Sequence, residues 1–208
     1  MYIQKEKKLV FVANPKTGSR SIHDLLLKYD RKTWTLEGEE RNWIKINYHM
    51  SITGINKQYP ETLNYKSFAF VRNPFDRLVS TYFEFKKFPE RHPKFGDKFS
   101  RDFKTFNDFV LNLKNSNYSD YIHFKPQIYF LGNKKGPTVD FIGRYENFEN
   151  DLKKIFTKFY LEKINEIPLP KIGPSGIKAD DRSFYSKELI DIVLEHYNED
   201  FENFNYSI

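Results

Sequence analysis

The segment Asn14-Pro15-Lys16-Thr17-Gly18-Ser19-Arg20-Ser21 follows the apolar run Leu9–Ala13. It precedes apolar positions at Ile22, Leu25, Leu26 and Tyr29, spaced i, i+3, i+4, i+7 as on one face of a helix. A buried strand that turns through small polar residues into a helix N-terminus aims several backbone N–H groups at one point. That is an anion site, and phosphate is its usual occupant. Lys16 adds a point charge that can reach a bridging or terminal oxygen, and Thr17, Ser19 and Ser21 offer hydroxyls. The loop is not of the G-x-x-x-x-G-K-[ST] type, because its lysine precedes its only glycine. Taken alone, it also reads as an ordinary polar strand–helix turn.

A second group carries complementary chemistry. Arg72 ends the run Ser67–Val71, the position at which open α/β sheets place ligand contacts. Ser80 lies eight residues further on, with Arg77 one helical turn before it. A planar guanidinium beside a hydroxyl suits a second phosphate, whereas a magnesium-dependent nucleotidase would prefer a carboxylate at such a strand end. The pair points to a ligand with two separated phosphates and no divalent metal. A salt bridge to a nearby acid is the alternative for Arg72 alone.

The elements that must position these residues alternate along the chain, as in a parallel sheet covered by helices. Leu9–Ala13, Ser67–Arg72 and Val139–Tyr145 read as strands, and Ile44–His49 alternates as a further one. Helices are expected from Ser19, over Ser51–Gln58, and from Asn73-Pro74 with proline at the first position. On that third helix Phe75, Leu78, Val79 and Tyr82 form the apolar face, and Arg77, Ser80 and Glu84 point elsewhere. Further helices are expected over Thr105–Leu113, Gln127–Leu131, from Asn147, and from Ser186. Residues 86–104, with three helix-breaking residues and seven Lys or Arg, read as a loop, and so does Pro168–Asp181. No repeat or linker separates two domains, so one domain over 1–208 is expected.

Composition bounds the function. The 208 residues carry 34 Lys+Arg against 28 Asp+Glu, a net charge of +6, which suits a polyanionic partner without choosing one. The 21 Phe, 14 Tyr and 2 Trp supply a core and exclude a wholly disordered chain. No apolar run approaches the roughly 18 residues of a membrane helix, and the start lacks the apolar stretch of a signal peptide. With no cysteine there is neither a thiolate metal site nor a disulfide framework, which favours a reducing, cytoplasmic setting. His92 and His196 read as solvated surface residues, with no second ligand at metal-binding spacing.

Together the two groups resemble a family. Pro15-Lys16-Thr17-Gly18-Ser19-Arg20-Ser21 resembles the 5′-phosphosulfate loop of sulfotransferases, and Arg72-Asn73-Pro74-Phe75-Asp76-Arg77-Leu78-Val79-Ser80-Thr81-Tyr82 resembles their 3′-phosphate motif. His49-Met50-Ser51, His123-Phe124-Lys125-Pro126-Gln127 and Phe141-Ile142-Gly143-Arg144-Tyr145-Glu146-Asn147 are similar, in order and spacing, to the carbohydrate-type branch. Phe75 stands where that branch often has Trp. Its segment before the last helix is matched loosely, by Ser175, Lys178 and Arg182. Animal members carry a membrane anchor and lumenal cysteines that this chain does not show, so a small soluble bacterial or viral enzyme is expected.

The resemblance implies a P-loop-like three-layer α/β fold with a central parallel sheet of four or five strands. It implies 3′-phosphoadenosine 5′-phosphosulfate (PAPS) as donor and adenosine 3′,5′-bisphosphate (PAP) as product. Lys16, Thr17, Gly18, Ser19, Arg20, Ser21, Arg72, Ser80 and Arg144 would bind the donor, without metal. The acceptor would be a hydroxyl, of a carbohydrate by resemblance. Its proton needs a base, and histidine titrates near neutral pH. His49, at the end of a strand-like run and where the resemblance places an acceptor-side histidine, is the first candidate, with His123 second. A magnesium-dependent kinase and a nucleic-acid-binding domain are the rival readings; neither a nucleic acid nor a membrane is the expected partner.

Overall fold

The computed structural model describes residues 1–5, 7–29, 49–93, 95–114, 118, 121–159 and 183–207. In chain order the elements are β1 (Tyr2–Gln4), β2 (Leu9–Val12), α1 (Ser19–Tyr29), α2 (Ile52–Gln58), β3 (Lys66–Val71), α3 (Pro74–Lys87), α4 (Gly96–Asp102), α5 (Phe106–Leu111) and α6 (Ile128–Leu131). There follow β4 (Gly132–Asn133), β5 (Gly136–Pro137), β6 (Phe141–Arg144), α7 (Phe148–Lys158), α8 (Lys187–His196) and α9 (Asn198–Phe204). The strand read over 44–49, apart from His49, and the loop 168–181 lie outside the described residues, as do Ser175, Lys178 and Arg182. The chain divides into two compact units, Met1–Val71 with Gln127–Ile172 and Arg72–Pro126 with Gly173–Ile208.

The first unit is built on a four-stranded sheet in the order β1-β2-β3-β6, flanked by helices. β2, β3 and β6 run parallel, with Val12 opposite Ala69 and Val71 opposite Arg144, so all three release their chains at one edge. β2 and β3 are apolar on both faces, as parallel strands covered on both sides must be. Phe11, Phe68 and Phe70 pack with Ile22, Leu25 and Leu26 of α1 and with Leu152, Ile155 and Phe156 of α7. Gly143 is required in β6, because a Cβ there would sit 2.6 Å from the Phe70 ring. β1 was not expected. It is a three-residue antiparallel edge, Tyr2 opposite Phe11, too short for an alternating pattern to betray it. β6 is also shorter than the run Val139–Tyr145 suggests, because Asp140 leaves the strand to bind β3.

At the opposite edge of the sheet, the Asp140 carboxylate accepts from the Ser67 N–H and hydroxyl at 2.9 Å each and from Lys66 Nζ at 2.9 Å. Partial burial pushes its pKa up, but the hydrogen bonds from Lys66 and Ser67 outweigh this and hold it below the ordinary carboxylate value. A depressed native pKa contributes stability above the unfolded-state value and loses it as pH falls through the native one. Asp140→Ala is therefore expected to cost about 1–2 kcal/mol at pH 7, and the gap should close in denaturant titrations near pH 2. A gap that persists unchanged in acid would assign the effect to packing.

The second unit is an aromatic core around α3. Asn73 caps that helix, its Oδ1 accepting from Phe75 N–H at 3.0 Å, and Pro74 occupies the first turn. The expected single apolar face is too narrow: every residue from Pro74 to Tyr82 is buried, Arg77 and Ser80 included. The segment read as a loop over 86–104 contains α4 and a 3-10 turn over Pro89–Arg91. Phe95, Phe99 and Phe103 recur at helical spacing among its charges, and Phe99 and Phe103 are buried in the core. His92 is likewise no surface residue: it is 6% exposed, and its ring stacks on Phe85 at 4.0 Å. His196 is half-buried, its Nε2 donating to the Phe124 carbonyl at 3.3 Å, and burial pushes its pKa down. Ser186 caps α8 as expected, and α9 continues beyond it to a left-handed Asn205.

Candidate active site

The loop leaving β2 has the shape of an anion cradle. Lys16 and Gly18 both adopt left-handed backbone conformations, φ 65° and 80°, and Thr17 between them does not. Alternation of this kind turns successive N–H groups toward one concavity. Gly18 is needed twice, for its φ and because a Cβ would meet Phe148 Cε2 at 2.9 Å and Tyr145 Cε2 at 3.5 Å. Gly18 thus lies close against Tyr145, in the turn after β6, and Phe148, the first residue of α7. α1 begins at Ser19 with no acidic residue in its first turn, so nothing there repels an anion from the helix N-terminus. Thr17 is buried and its hydroxyl donates to the Asn14 carbonyl at 2.9 Å, closing the loop. What Thr17 offers a ligand is therefore its backbone N–H. Arg20 is exposed and Ser19 buried.

His49 reaches the same loop. Its Nδ1 lies 2.6 Å from the Ala13 carbonyl oxygen. A carbonyl can only accept, so Nδ1 carries the hydrogen of that bond. Arg144 ends β6, and its backbone N–H donates to Asp151 Oδ2 at 2.9 Å. In the second unit Arg72 follows β3 directly in the chain and is 4% exposed, and Ser80 on α3 is 7% exposed. Among the described residues, no cluster of three or more His, Asp or Glu side chains is arranged to hold a metal ion.

A model of the sulfotransferase family matches residues 1–207. The chain belongs to the sulfotransferase family. It is also similar to an uncharacterized protein of Archaeoglobus fulgidus, 34% identical over 97 residues that cover 47% of this chain and 69% of the relative. No solved structure matches it significantly. Among the described residues, no helix of this sulfotransferase is long and apolar enough to cross a membrane.

Two side chains near the motifs make contacts within the second unit. Arg77, 1% exposed, donates through Nη2 to the carbonyls of Lys125 at 2.9 Å and His123 at 3.3 Å. Burial pushes its pKa down, Tyr197 and Asp200 oppose that, and Arg72 adds to it. Even so, a guanidinium stays charged at neutral pH. The His123 ring stacks on Tyr121 at 5.2 Å and meets His92 edge-on at 5.0 Å, inside the aromatic core of the second unit. Asn14 and Gln127, to which the sequence motifs attach no role, bond to each other deep in the first unit. A polar residue between a buried strand and Pro15 is the one local sign of this.

Proposed function

We propose that this sulfotransferase transfers the sulfuryl group of PAPS to a hydroxyl of a carbohydrate acceptor, without a metal and with His49 as the base. The observation that carries this reading is the loop after β2, where an anion cradle, Lys16 and a histidine bonded to the Ala13 carbonyl belong to one strand exit. The acceptor oxygen attacks sulfur and its proton passes to His49 Nε2. The bond between sulfur and the bridging oxygen breaks, and Lys16 stabilises the charge left on that oxygen. Backbone N–H groups of 17–21, with Arg144 at the neighbouring strand end, hold the 5′ end. Arg72 and Ser80 hold the 3′-phosphate. Catalysis then consists of positioning and charge stabilisation, as in phosphoryl transfer. The carbohydrate acceptor rests on the likeness of the segments at His49, His123 and Phe141–Asn147 to that branch.

The donor class is tested by thermal shift. Binding to the folded state alone stabilises it by about 2.7 kcal/mol at a hundredfold excess over Kd, a rise of several degrees for a chain of this size. PAP should give that rise and ADP and ATP should not; equal shifts with ATP and magnesium would favour a kinase. The Arg72→Ala variant should bind PAP roughly tenfold more weakly, a loss of about 1.4 kcal/mol. AMP, which lacks the 3′-phosphate, should bind it as it binds the parent. Equal losses for PAP and AMP would make Arg72 structural.

A further inference from the structure

We infer that Asp151 is a positioning residue for the 5′ end of the donor: its buried carboxylate closes the turn after β6, which carries Arg144 and lies against the cradle at Gly18. The inference rests on the functional reading above.

Asp151 lies in the first turn of α7 and is 8% exposed. A carboxylate at that depth is costly unless donors meet it. They are present: Oδ2 accepts from the Arg144 backbone N–H at 2.9 Å, and Oδ1 accepts from Asn147 Nδ2 at 2.9 Å and Lys154 Nζ at 3.1 Å. An acid that served only the helix dipole could stay in water, as the exposed Glu149 of the same turn does. Asp151 reaches back to the end of β6 instead.

These bonds fall where the chain passes from strand to helix. Arg144 is the last residue of β6, Tyr145–Asn147 form a 3-10 turn, and neither that turn nor α7 begins with a side-chain cap. The Asp151 carboxylate does the work of a cap from inside the helix, tying the strand end and Asn147 to one group. Asn147 is held in turn, its Oδ1 accepting from Asn150 Nδ2 at 2.9 Å.

The turn bears on the donor site twice. It follows directly on Arg144, and it presents Tyr145 to Gly18, where a Cβ would come within 3.5 Å of Tyr145 Cε2. Clearance that small means that a shift of the turn either presses on the loop or leaves a gap behind it. Phe148, the other neighbour of Gly18, has its own anchor in the Phe70 ring at 5.0 Å. Without the carboxylate, the Arg144 N–H and Asn147 Nδ2 turn to water and the turn gains freedom. A guanidinium and a cradle that must meet one phosphosulfate group then lose their common alignment.

Calorimetry with PAP and with adenosine 3′-phosphate, which lacks the 5′-phosphate, tests this, with the melting temperature recorded for each protein. The parent should prefer PAP. Asp151→Ala should bind PAP about tenfold more weakly and adenosine 3′-phosphate within about twofold of the parent. In an Arg144→Ala background the same change should cost less PAP affinity, because part of the effect passes through Arg144. A side chain that only stabilised the fold would lower the melting temperature and move neither affinity. That result, equal losses for the two ligands, or additive losses in the double variant would each overturn the inference. If Asp151→Ala does not fold, Asp151→Asn takes its place, since it keeps one acceptor oxygen and turns a donor toward the groups the carboxylate held. An unchanged PAP affinity in Asp151→Asn then overturns the inference. A parent that binds PAP no better than adenosine 3′-phosphate defeats the functional reading; a parent that prefers PAP, with a variant that binds it equally well, defeats the inference alone.

Discussion

His49→Ala is expected to leave PAP binding intact and to lower sulfuryl transfer by ~10²–10⁴, the worth of a positioned general base. The residue stands outside the phosphate-binding motifs, so the donor should not register its loss. Its ring is only half-buried, so the fold should tolerate its loss. The parent rate should fall in acid, where a protonated Nε2 accepts nothing, and the variant should lack that limb. Added imidazole should restore part of the rate if the space vacated by the ring admits it. Steady-state kinetics at saturating PAPS, with calorimetry of PAP, separate the two effects. Turnover within about threefold of the parent would place the base elsewhere and make His123 the next residue to replace.

Arg77→Met should damage the fold instead. It removes the two charge-assisted bonds to the carbonyls of His123 and Lys125 and leaves both oxygens facing an apolar side chain. Bonds of this kind contribute about 1.5–3 kcal/mol each, and an abandoned buried partner raises the cost, so a loss of about 3–5 kcal/mol is expected. For a chain of this length that lowers the melting temperature by about 10 °C. Arg77→Lys should recover only part of it, since one ammonium replaces a planar fork that reaches two oxygens. The opposite outcome, an unchanged melting temperature with PAP binding abolished, would return Arg77 to the ligand.

How much of this was legible in the chain depends on the range of the forces involved. The strands β2 and β3, the Asn73-Pro74 start of α3 and the Ser51 and Ser186 caps follow from neighbours a few residues apart, and they stand where the pattern puts them. The cradle between Lys16 and Ser19 was legible for the same reason: a strand, a glycine and a helix start are local events. α4 was hidden because Pro89, Pro93 and the basic residues masked the spacing of Phe95, Phe99 and Phe103. Arg77 was misplaced because helical spacing records which side of a helix a residue takes, and α3 is buried all round from Pro74 to Tyr82. His92 was misplaced because its partners Phe85, Tyr121 and His123 come from separate segments. The Asn14–Gln127 bond spans 113 positions, and no local pattern reports a contact of that range.

The backbone of the cradle contains two places that favour glycine, and the chain puts glycine at only one of them. At the other it keeps a lysine in a conformation that costs an L-residue with a long side chain about 1–2 kcal/mol. A selection that rewarded thermal robustness alone would drift toward glycine or asparagine at position 16, and each such step would raise the melting point while stripping out the ammonium group. With Lys16 in its proposed role at the bridging oxygen, the strain there marks a point where evolvability for stability and retention of activity pull in opposite directions. Libraries screened only for survival on heating should accumulate inactive, sturdier proteins through this one codon.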